Sequence, residues 1–399
     1  MDVVAGLQPA TLLRWSLKTG DDSLLSRGAR LQCRAMTLTA PYRFYAAEPS
    51  YFSAKVRPFL RYKRVPYEEI APTPAVFREV IQPRTGLSFI PVVITPDDAA
   101  LQDTSEILDA LEQRFPDPPV YPATPVQGLV AYAIEVYADE FCVLPAMHYR
   151  WDFPESEAQA RRDFGRFNGD PDTAGRFADR MKGSLPILGV QPDTVPAIEA
   201  HLRDLLDILS RHFAVYDFLL GSRMSLADLA LFGPLYAHLY LDAVPGRLLR
   251  ETAPKVCAWI ERMNHPAPVA GSFVPDDAVP PTLQPVLRLI GQDAVPVVLD
   301  TVRAFEAWAD TTPPDLESPP RGVGMHETVL RGVRFMRYTS PYTLWMVQRP
   351  LDAYRVLDTA ARARVDRAVA DTGLEALWHC APRYRMAKRQ FKLVCSAVA

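Results

Sequence analysis

The stretch FSAKVRPFLRYKRVPYEE, residues 52–69, changes from a helical to an extended pattern across a short turn. Apolar side chains at Val56, Phe59, Leu60 and Tyr62 have the spacing of one face of an α-helix. Residues 66–70, which follow at once, have the composition of a short strand. A helix that leads directly into a strand indicates an α/β unit at this point of the chain.

Short apolar segments on both sides extend this unit to a complete domain. They predict a strand at 42–45, a short helix at 76–81, strands at 91–94 and 100–101, and a helix at 103–115. This order is typical of a thioredoxin-like domain, a four-stranded mixed sheet with helices on both faces. We therefore assign residues 41–120 to such a domain.

A cluster of prolines marks the end of this domain. Five prolines lie between positions 116 and 125, and neither a helix nor a central strand accepts so many, so this segment is a linker. The patterns that follow are helical, at 129–144, 156–181, 195–216, 225–240 and 254–263. Residues 125–267 are therefore predicted to form an all-α domain, in which Ser225 and Asp228 have the spacing of a capping box.

Residues 268–399 form a C-terminal extension that the first two domains do not explain. A helical stretch at 282–309 is interrupted by prolines, strand-like segments at 327–338 and 342–347 predict a hairpin, and 352–370 predicts a helix. The predicted fold class is thus α/β plus all-α, followed by a mixed extension of unknown role.

Composition excludes several classes of protein. Hydrophobic residues make up 48% and charged residues 23% of the chain, and no apolar run approaches the roughly 20 residues of a membrane span. The net charge is only -3, although residues 321–399 hold 14 Lys and Arg against 6 Asp and Glu. Because these arginines follow a helical apolar pattern without a reader motif, we expect a solvated or inter-domain face and no nucleic acid partner.

Cysteine and histidine spacing gives no support for a metal site. The 5 cysteines and 7 histidines are scattered, without CxxC, HxH or HExxH motifs. Unpaired cysteines favour a reducing, cytoplasmic location. Residues 1–40 are expected to be a disordered or misannotated extension, with Met36 as an alternative start to Met1 and a transit peptide as the rival interpretation.

Several segments in order resemble the glutathione S-transferase superfamily. They are FSAKVRPFLRYKRVPYEE, FIPVVI, LQDTSEILDALEQRF, GSRMSLADLALFGPLYAHLY and APKVCAWIERMNHP. Together they cover about residues 41–267, and SYFSAKVR with YADEFCVLPAMHYRW is similar to a longer bacterial group. The resemblance implies a thioredoxin-like domain that binds glutathione and a helical domain that completes the fold.

The resemblance implies a sulfur partner at the start of the first helix. Ser50 matches the position whose hydroxyl contacts the glutathione sulfur, where the positive end of a helix also favours a thiolate. In the family, proline commonly follows this residue, whereas Tyr51 follows it here. Tyr45 is the rival sulfur partner. Ser53 lies near the thiol; because it is not cysteine, no mixed disulfide is expected there.

Three further segments match the parts that hold the rest of glutathione. Pro91 resembles a conserved cis-proline that would present the backbone of Ile90 to the peptide middle. Asp103 is expected to meet the ammonium and Thr104 the carboxylate of the γ-glutamyl end. Arg84 is the candidate for the glycine carboxylate.

The resemblance implies a second substrate between the two domains. Four aromatic residues of the helical domain are the candidates for its pocket: Tyr137, Phe141, Tyr149 and Trp151. We interpret the chain as a glutathione transferase that conjugates glutathione to a small apolar electrophile, and as a homodimer. The alternatives are a glutathione-dependent lyase, isomerase or ether-cleaving enzyme, and a non-catalytic binding or scaffold protein.

Overall fold

The computed structural model describes residues 40–267, 271–312 and 318–398. The predicted N-terminal extension, residues 1–40, lies outside these ranges except for Ala40, and so does Met36. From Ala40 onward the described residues belong to one compact unit.

The N-terminal sheet has four strands in the order β2-β1-β3-β4. The strands are β1 (Tyr42–Tyr45), β2 (Tyr67–Ile70), β3 (Val92–Ile94) and β4 (Ala100–Gln102). β1 runs parallel to β2 and antiparallel to β3, which is antiparallel to β4. All three residues of β3 are fully buried because helices cover both faces of the sheet, as a continuous apolar run predicts.

Helices on the two faces complete the thioredoxin-like domain that the sequence predicts. They are α1 (Tyr51–Tyr62), α2 (Pro74–Val76) with a π-helical turn (Phe77–Ile81) and α3 (Gln82–Thr85), and α4 (Thr104–Arg114). Helices α1 and α4 pack together on one face. On the other face, Tyr45, Ile81, Val92 and Ile94 form a small separate apolar cluster.

The second part of the chain is helical, as predicted. Its helices are α5 (Pro125–Glu140), α6 (Val143–Trp151), α7 (Pro154–Asn168), α8 (Pro171–Gly183), α9 (Leu185–Leu188), α10 (Val195–His212), α11 (Leu226–Pro234), a π-helical turn (Leu235–Tyr240), α12 (Ala243–Thr252) and α13 (Pro254–Asn264). The single helix predicted at 156–181 is wrong. Gly169 ends α7 with a φ of 63°, and the Asp170 carboxylate caps α8 by accepting from the N–H groups of Asp172 and Thr173.

The extension contains helices and two β-hairpins. It comprises a 3-10 turn (Pro281–Leu283), α14 (Gln284–Leu289), a π-helical turn (Ile290–Ala294), α15 (Val295–Asp310), β5 (Met325–Leu330), β6 (Val333–Tyr338), α16 (Pro341–Arg355), α17 (Thr359–Ala368), α18 (Ala376–His379), β7 (Tyr384–Arg389) and β8 (Lys392–Ala397).

Three sequence predictions for the extension are wrong. The hairpin lies wholly within residues 325–338, because Arg331 and Gly332 both have positive φ and form the two-residue loop between β5 and β6. The predicted second strand, 342–347, belongs to α16, where Pro341 occupies the first helical turn. The helix predicted at 352–370 is also interrupted, since α16 ends at Arg355 and Asp358 caps α17.

The extension packs against the first two parts. Helix α16 lies along α5, and one apolar core contains side chains from Tyr42 in β1 to Met386 in β7. Arginines of the extension form ion pairs with carboxylates, including Arg331 with Asp293, Arg349 with Asp109, Arg383 with Asp310 and Arg385 with Asp352. In the part of the chain described, no helix has the length and apolar character to cross a membrane.

Candidate glutathione site

The strand register brings the three predicted segments to one edge of the N-terminal sheet. Tyr45 at the end of β1 pairs with Val92 at the start of β3, which pairs in turn with Gln102 at the end of β4. The chain therefore leaves β1 toward Ser50, enters β3 through Pro91, and leaves β4 into Asp103 at the same edge. Sequence order alone does not reveal this row.

Ser50 is the N-cap of α1. Its hydroxyl oxygen accepts a hydrogen bond from the Ser53 N–H at 3.3 Å, and the residue is partly exposed. The first turn of a helix carries N–H groups without intrahelical acceptors and the positive end of the helix dipole. Ser50 thus lies at a position that favours an anion.

Tyr51 stands where the resemblance leads us to expect proline, and it is a buried packing residue. Its hydroxyl donates to the carbonyl of Ala138 in α5, and its ring lies edge-on to His238 at 5.5 Å between centroids. A Cβ atom at Gly233 would lie 2.9 Å from the Tyr51 carbonyl oxygen. Glycine at that position therefore allows α11 to approach the start of α1.

Arg150 of α6 supports the loop that leads into Ser50. Its guanidinium donates to the carbonyl oxygen of Pro49 at 3.0 Å and to that of Ala237 at 2.6 Å. It also forms two bonds with the Asp242 carboxylate, at 2.7 and 2.9 Å. Because Arg150 is 3% exposed, a buried Arg150–Asp242 ion pair holds the Pro49 carbonyl, one residue before Ser50.

The other predicted sulfur-side residues differ in their surroundings. Tyr45 is 3% exposed and packs in the apolar cluster with Ile81, Val92 and Ile94. Ser53 is fully buried, and its hydroxyl accepts from the Ala47 N–H at 3.4 Å. Ser53 is therefore engaged with the loop before α1.

The Ile90–Pro91 peptide bond is cis, which confirms the isomer predicted from the sequence. Ile90 lies just outside the β1–β3 ladder. The first pair of that ladder on this side is Tyr45 with Val92. Arg84, at the end of α3, forms an ion pair with Asp98 at 3.3 Å.

Asp103 and Thr104 open helix α4. Asp103 has a φ of 79° and caps the helix, because its Oδ1 accepts from the Ser105 N–H at 3.0 Å. The other oxygen, Oδ2, accepts from the Tyr342 hydroxyl at 2.6 Å and lies 2.8 Å from the Lys388 ammonium. Both of these partners belong to the C-terminal extension.

A cluster of buried charges lies beneath the start of α4. The Lys55 ammonium contacts Glu135 at 2.8 Å and Asp139 at 2.6 Å, and Arg349 of the extension contacts Glu135 at 2.8 Å. Burial opposes ionisation of Glu135, but Arg349 and Lys55 outweigh it and lower its pKa to about 2. Burial dominates at Asp139 and raises its pKa to about 7. The cluster joins all three parts of the chain.

The four aromatic residues predicted for the second-substrate pocket lie in the core. Each of Tyr137, Phe141, Tyr149 and Trp151 is at most 3% exposed. Tyr137 stacks on Phe141 at 5.7 Å and shares a hydrogen bond with His201 Nε2 at 2.7 Å. Burial raises the pKa of Tyr149 to about 12. The Tyr149 ring stacks on that of Phe153, with 5.3 Å between the ring centroids.

Sequence reasoning missed the residues that reach the site from elsewhere. Arg150 belongs to α6, and Tyr342 and Lys388 belong to the extension; no local motif links any of them to Ser50 or Asp103. Within residues 40–267, 271–312 and 318–398, no group of three or more His, Cys, Asp or Glu side chains is arranged to hold a metal ion.

Comparison with protein families gives two matches in the expected order. Residues 44–119 match the N-terminal domain of glutathione S-transferase, and residues 190–266 match its C-terminal domain. The chain belongs to the glutathione S-transferase superfamily. A search of curated proteins gives no match.

Solved structures of this superfamily align with more than half of the chain. A glutathione S-transferase from Methylobacterium radiotolerans, in complex with glutathione sulfonate, is 22% identical over 59% of this chain and 99% of its own, with a TM-score of 0.36. The β-etherase LigF from Sphingobium is 18% identical over 57% and 96%, with a TM-score of 0.42. A glutathione S-transferase from Methylobacillus flagellatus with glutathione bound is 18% identical over 57% and 100%, with a TM-score of 0.36.

Proposed function

We propose that this protein binds glutathione, stabilises its thiolate and transfers it to a small apolar electrophile. The observation that carries the proposal is the row of Tyr45, Val92 and Gln102 across the sheet. Through it, the helix start at Ser50, the backbone at Ile90 and the helix start at Asp103-Thr104 converge at one edge of the domain. These are three different kinds of group, as a zwitterionic thiol peptide requires.

In this proposal the thiol lies at the N-terminus of α1. The thiol gives its proton to water, and the Ser50 hydroxyl donates a hydrogen bond to the resulting thiolate. The helix dipole favours the same negative charge. The sulfur then attacks an electrophilic carbon, and a C–S bond forms as the leaving group departs with its electron pair.

The remaining contacts follow from the chemistry of glutathione. The backbone N–H and C=O of Ile90 pair with the peptide middle as a short added strand. The hydroxyl and N–H of Thr104, at the start of α4, suit the γ-glutamyl carboxylate. Arg84 serves the glycine carboxylate after leaving Asp98.

Calorimetric binding and thiolate absorbance together test the proposal. We expect the wild type to bind glutathione and to lower its thiol pKa. Ser50→Ala removes one hydrogen bond to a charged sulfur, about 1.5–3 kcal/mol, so the bound thiol pKa should rise by about 1–2 units.

Tyr45→Phe is the matched control for Ser50→Ala. The Tyr45 ring packs on the face of the sheet opposite to α1. We therefore expect the bound thiol pKa to stay at the wild-type value. A rise with Tyr45→Phe alone would move the sulfur contact to Tyr45, and no binding of glutathione by any of the three proteins would refute the proposed function.

A further inference from the structure

Lys388 of the C-terminal hairpin reaches the start of helix α4. Its ammonium lies 2.8 Å from Asp103 Oδ2 and 3.3 Å from Glu106 Oε2. The aliphatic stem carries that ammonium over the rings of Tyr342 and Trp345, 5.6 and 4.9 Å from their centroids. The side chains of Lys388 and Asp103 are both 8% exposed, so this ion pair is shielded from solvent.

Oδ2 of the Asp103 carboxylate is occupied by two groups of the extension. Oδ1 accepts the Ser105 N–H at 3.0 Å, and Oδ2 accepts the Tyr342 hydroxyl at 2.6 Å while it contacts Lys388. A carboxylate oxygen offers about two lone-pair directions. A second cation that takes Oδ2 would therefore have to replace the ammonium of Lys388.

A lysine side chain and the amino end of glutathione carry the same group, a primary ammonium. Two such groups cannot share Oδ2 closely, because like charges repel strongly in a site shielded from water. The extension thus gives Asp103 a cation, the Lys388 ammonium, in the place where the glutathione ammonium would otherwise bind.

We propose that Lys388 is a specificity-determining residue that competes with the α-ammonium of glutathione for Asp103. This inference rests on the proposed function. While Lys388 is in place, the site takes thiol peptides whose γ-glutamyl end keeps its carboxylate but lacks the amine. Glutathione itself binds only by displacing Lys388.

The hairpin has other attachments that keep it in place when Lys388 is changed. Gln348 of α16 bonds both backbone groups of Met386, at 2.9 Å to its carbonyl and 2.6 Å from its N–H. Arg383, just before β7, pairs with Asp310 of α15 at 2.8 Å. Lys388→Met keeps the apolar stem and removes only the charge, so we expect the fold to persist.

The experiment compares two ligands by calorimetry on the full chain. One is glutathione; the other is glutaryl-cysteinylglycine, which is glutathione without its α-amine. In the wild type we expect the amine-free ligand to bind at least as tightly as glutathione. In Lys388→Met we expect glutathione to tighten at least tenfold relative to glutaryl-cysteinylglycine, because Asp103 is free to pair with the amine.

Arg385→Met is the matched control, since it removes a positive charge from the same strand outside the site. It should leave the ratio of the two dissociation constants unchanged. An unchanged ratio in Lys388→Met, or weaker glutathione binding there, would overturn the inference while the proposed function stands. If neither ligand binds to either protein, the proposed function fails instead.

A second measurement on the wild type does not depend on any substitution. Amine acylation, followed by peptide mass spectrometry, reports the exposure of the Lys388 ammonium. Saturating glutathione should speed acylation of Lys388 several-fold, and glutaryl-cysteinylglycine should not. Equal acylation with and without bound glutathione would contradict displacement.

Discussion

His212 is a buried histidine that joins helix α10 to the start of the extension. The residue is 0% exposed; its Nδ1 lies 2.9 Å from the Thr282 hydroxyl and its Nε2 lies 3.1 Å from the Phe218 carbonyl oxygen. A carbonyl accepts only, so Nε2 carries the proton and Nδ1 accepts from Thr282. Burial of this neutral ring lowers the pKa of His212 from 6.5 to about 4.

This shift predicts a loss of stability in acid. Between about pH 4 and pH 6.5 the unfolded chain binds a proton at His212 that the folded chain does not. The free energy of unfolding therefore rises with pH through this window and falls on acidification, by roughly 2–3 kcal/mol for this one residue. Urea unfolding at pH 6.5 and pH 4 measures how much unfolding free energy each protein loses on acidification. His212→Gln should lose less than the wild type, by that amount.

The exposed His265 is the control for this prediction, because His265→Gln should leave the acid loss as in the wild type. Buried His201 and half-buried His326, whose pKa values burial also lowers, keep part of the pH dependence in both variants. An equal acid loss in wild type and His212→Gln would contradict the assignment.

At the scale of elements, the π-helical turn between α14 and α15 depends on a glycine. A Cβ atom on Gly291 would lie 1.8 Å from the backbone oxygen of Thr372, which follows α17. The Thr372 hydroxyl is itself bonded to the Val369 carbonyl and accepts from the Leu374 N–H. The loop therefore cannot move aside without loss of its own bonds.

Gly291→Ala should lower the free energy of unfolding by about 1–3 kcal/mol, since a methyl group must be forced against backbone. Gly165→Ala in α7 is the comparison, because a Cβ atom there meets nothing within 4 Å. That change should stabilise the protein by about 0.5–1 kcal/mol through helix propensity. Denaturant midpoints of the two variants should move in opposite directions; a shift in the same direction would refute the argument.

The elements of residues 41–267 could largely be predicted because their signals are local. The capping box of Ser225 and Asp228 is a spacing of nearby residues, and the cis bond at Pro91 follows from the resemblance of a short segment; the structure confirms both. The hairpin of β5 and β6 was misjudged because Arg331, which adopts a positive φ, is not a typical turn residue. The Lys388–Asp103 contact spans 285 positions, and no local pattern specifies such a pair.

At the scale of the whole molecule, the extension shares the core of the other two parts. Leu344 and Met346 of α16 lie in the same apolar cluster as Val130 and Ile134 of α5. Arg349 adds ion pairs to Asp109 of α4 and Glu135 of α5. The homodimer remains a prediction, and a partner subunit would have to avoid the surfaces of α4 and α5 that α16 covers.

A shared core predicts one cooperative unfolding transition for the whole described chain. Differential scanning calorimetry should give a single peak whose calorimetric and van't Hoff enthalpies agree. Tryptophan fluorescence, to which Trp151 and Trp259 of the helical part and Trp308, Trp345 and Trp378 of the extension contribute, should change at the same temperature as helical circular dichroism. Two resolved transitions would show that the extension folds as a separate unit.

Arg150 sets a limit on how this protein could be recombined with its relatives. One guanidinium in the helical part bonds the Pro49 carbonyl of the thioredoxin-like domain and the buried Asp242 carboxylate. A chimera that replaced the helical part with one lacking this arginine would leave the Pro49 oxygen without its partner. One that kept Asp242 without Arg150 would bury an uncompensated charge, at a cost of about 3–5 kcal/mol. The thioredoxin-like domain is therefore not a portable module, and any exchange of domains has to carry Arg150 and Asp242 together.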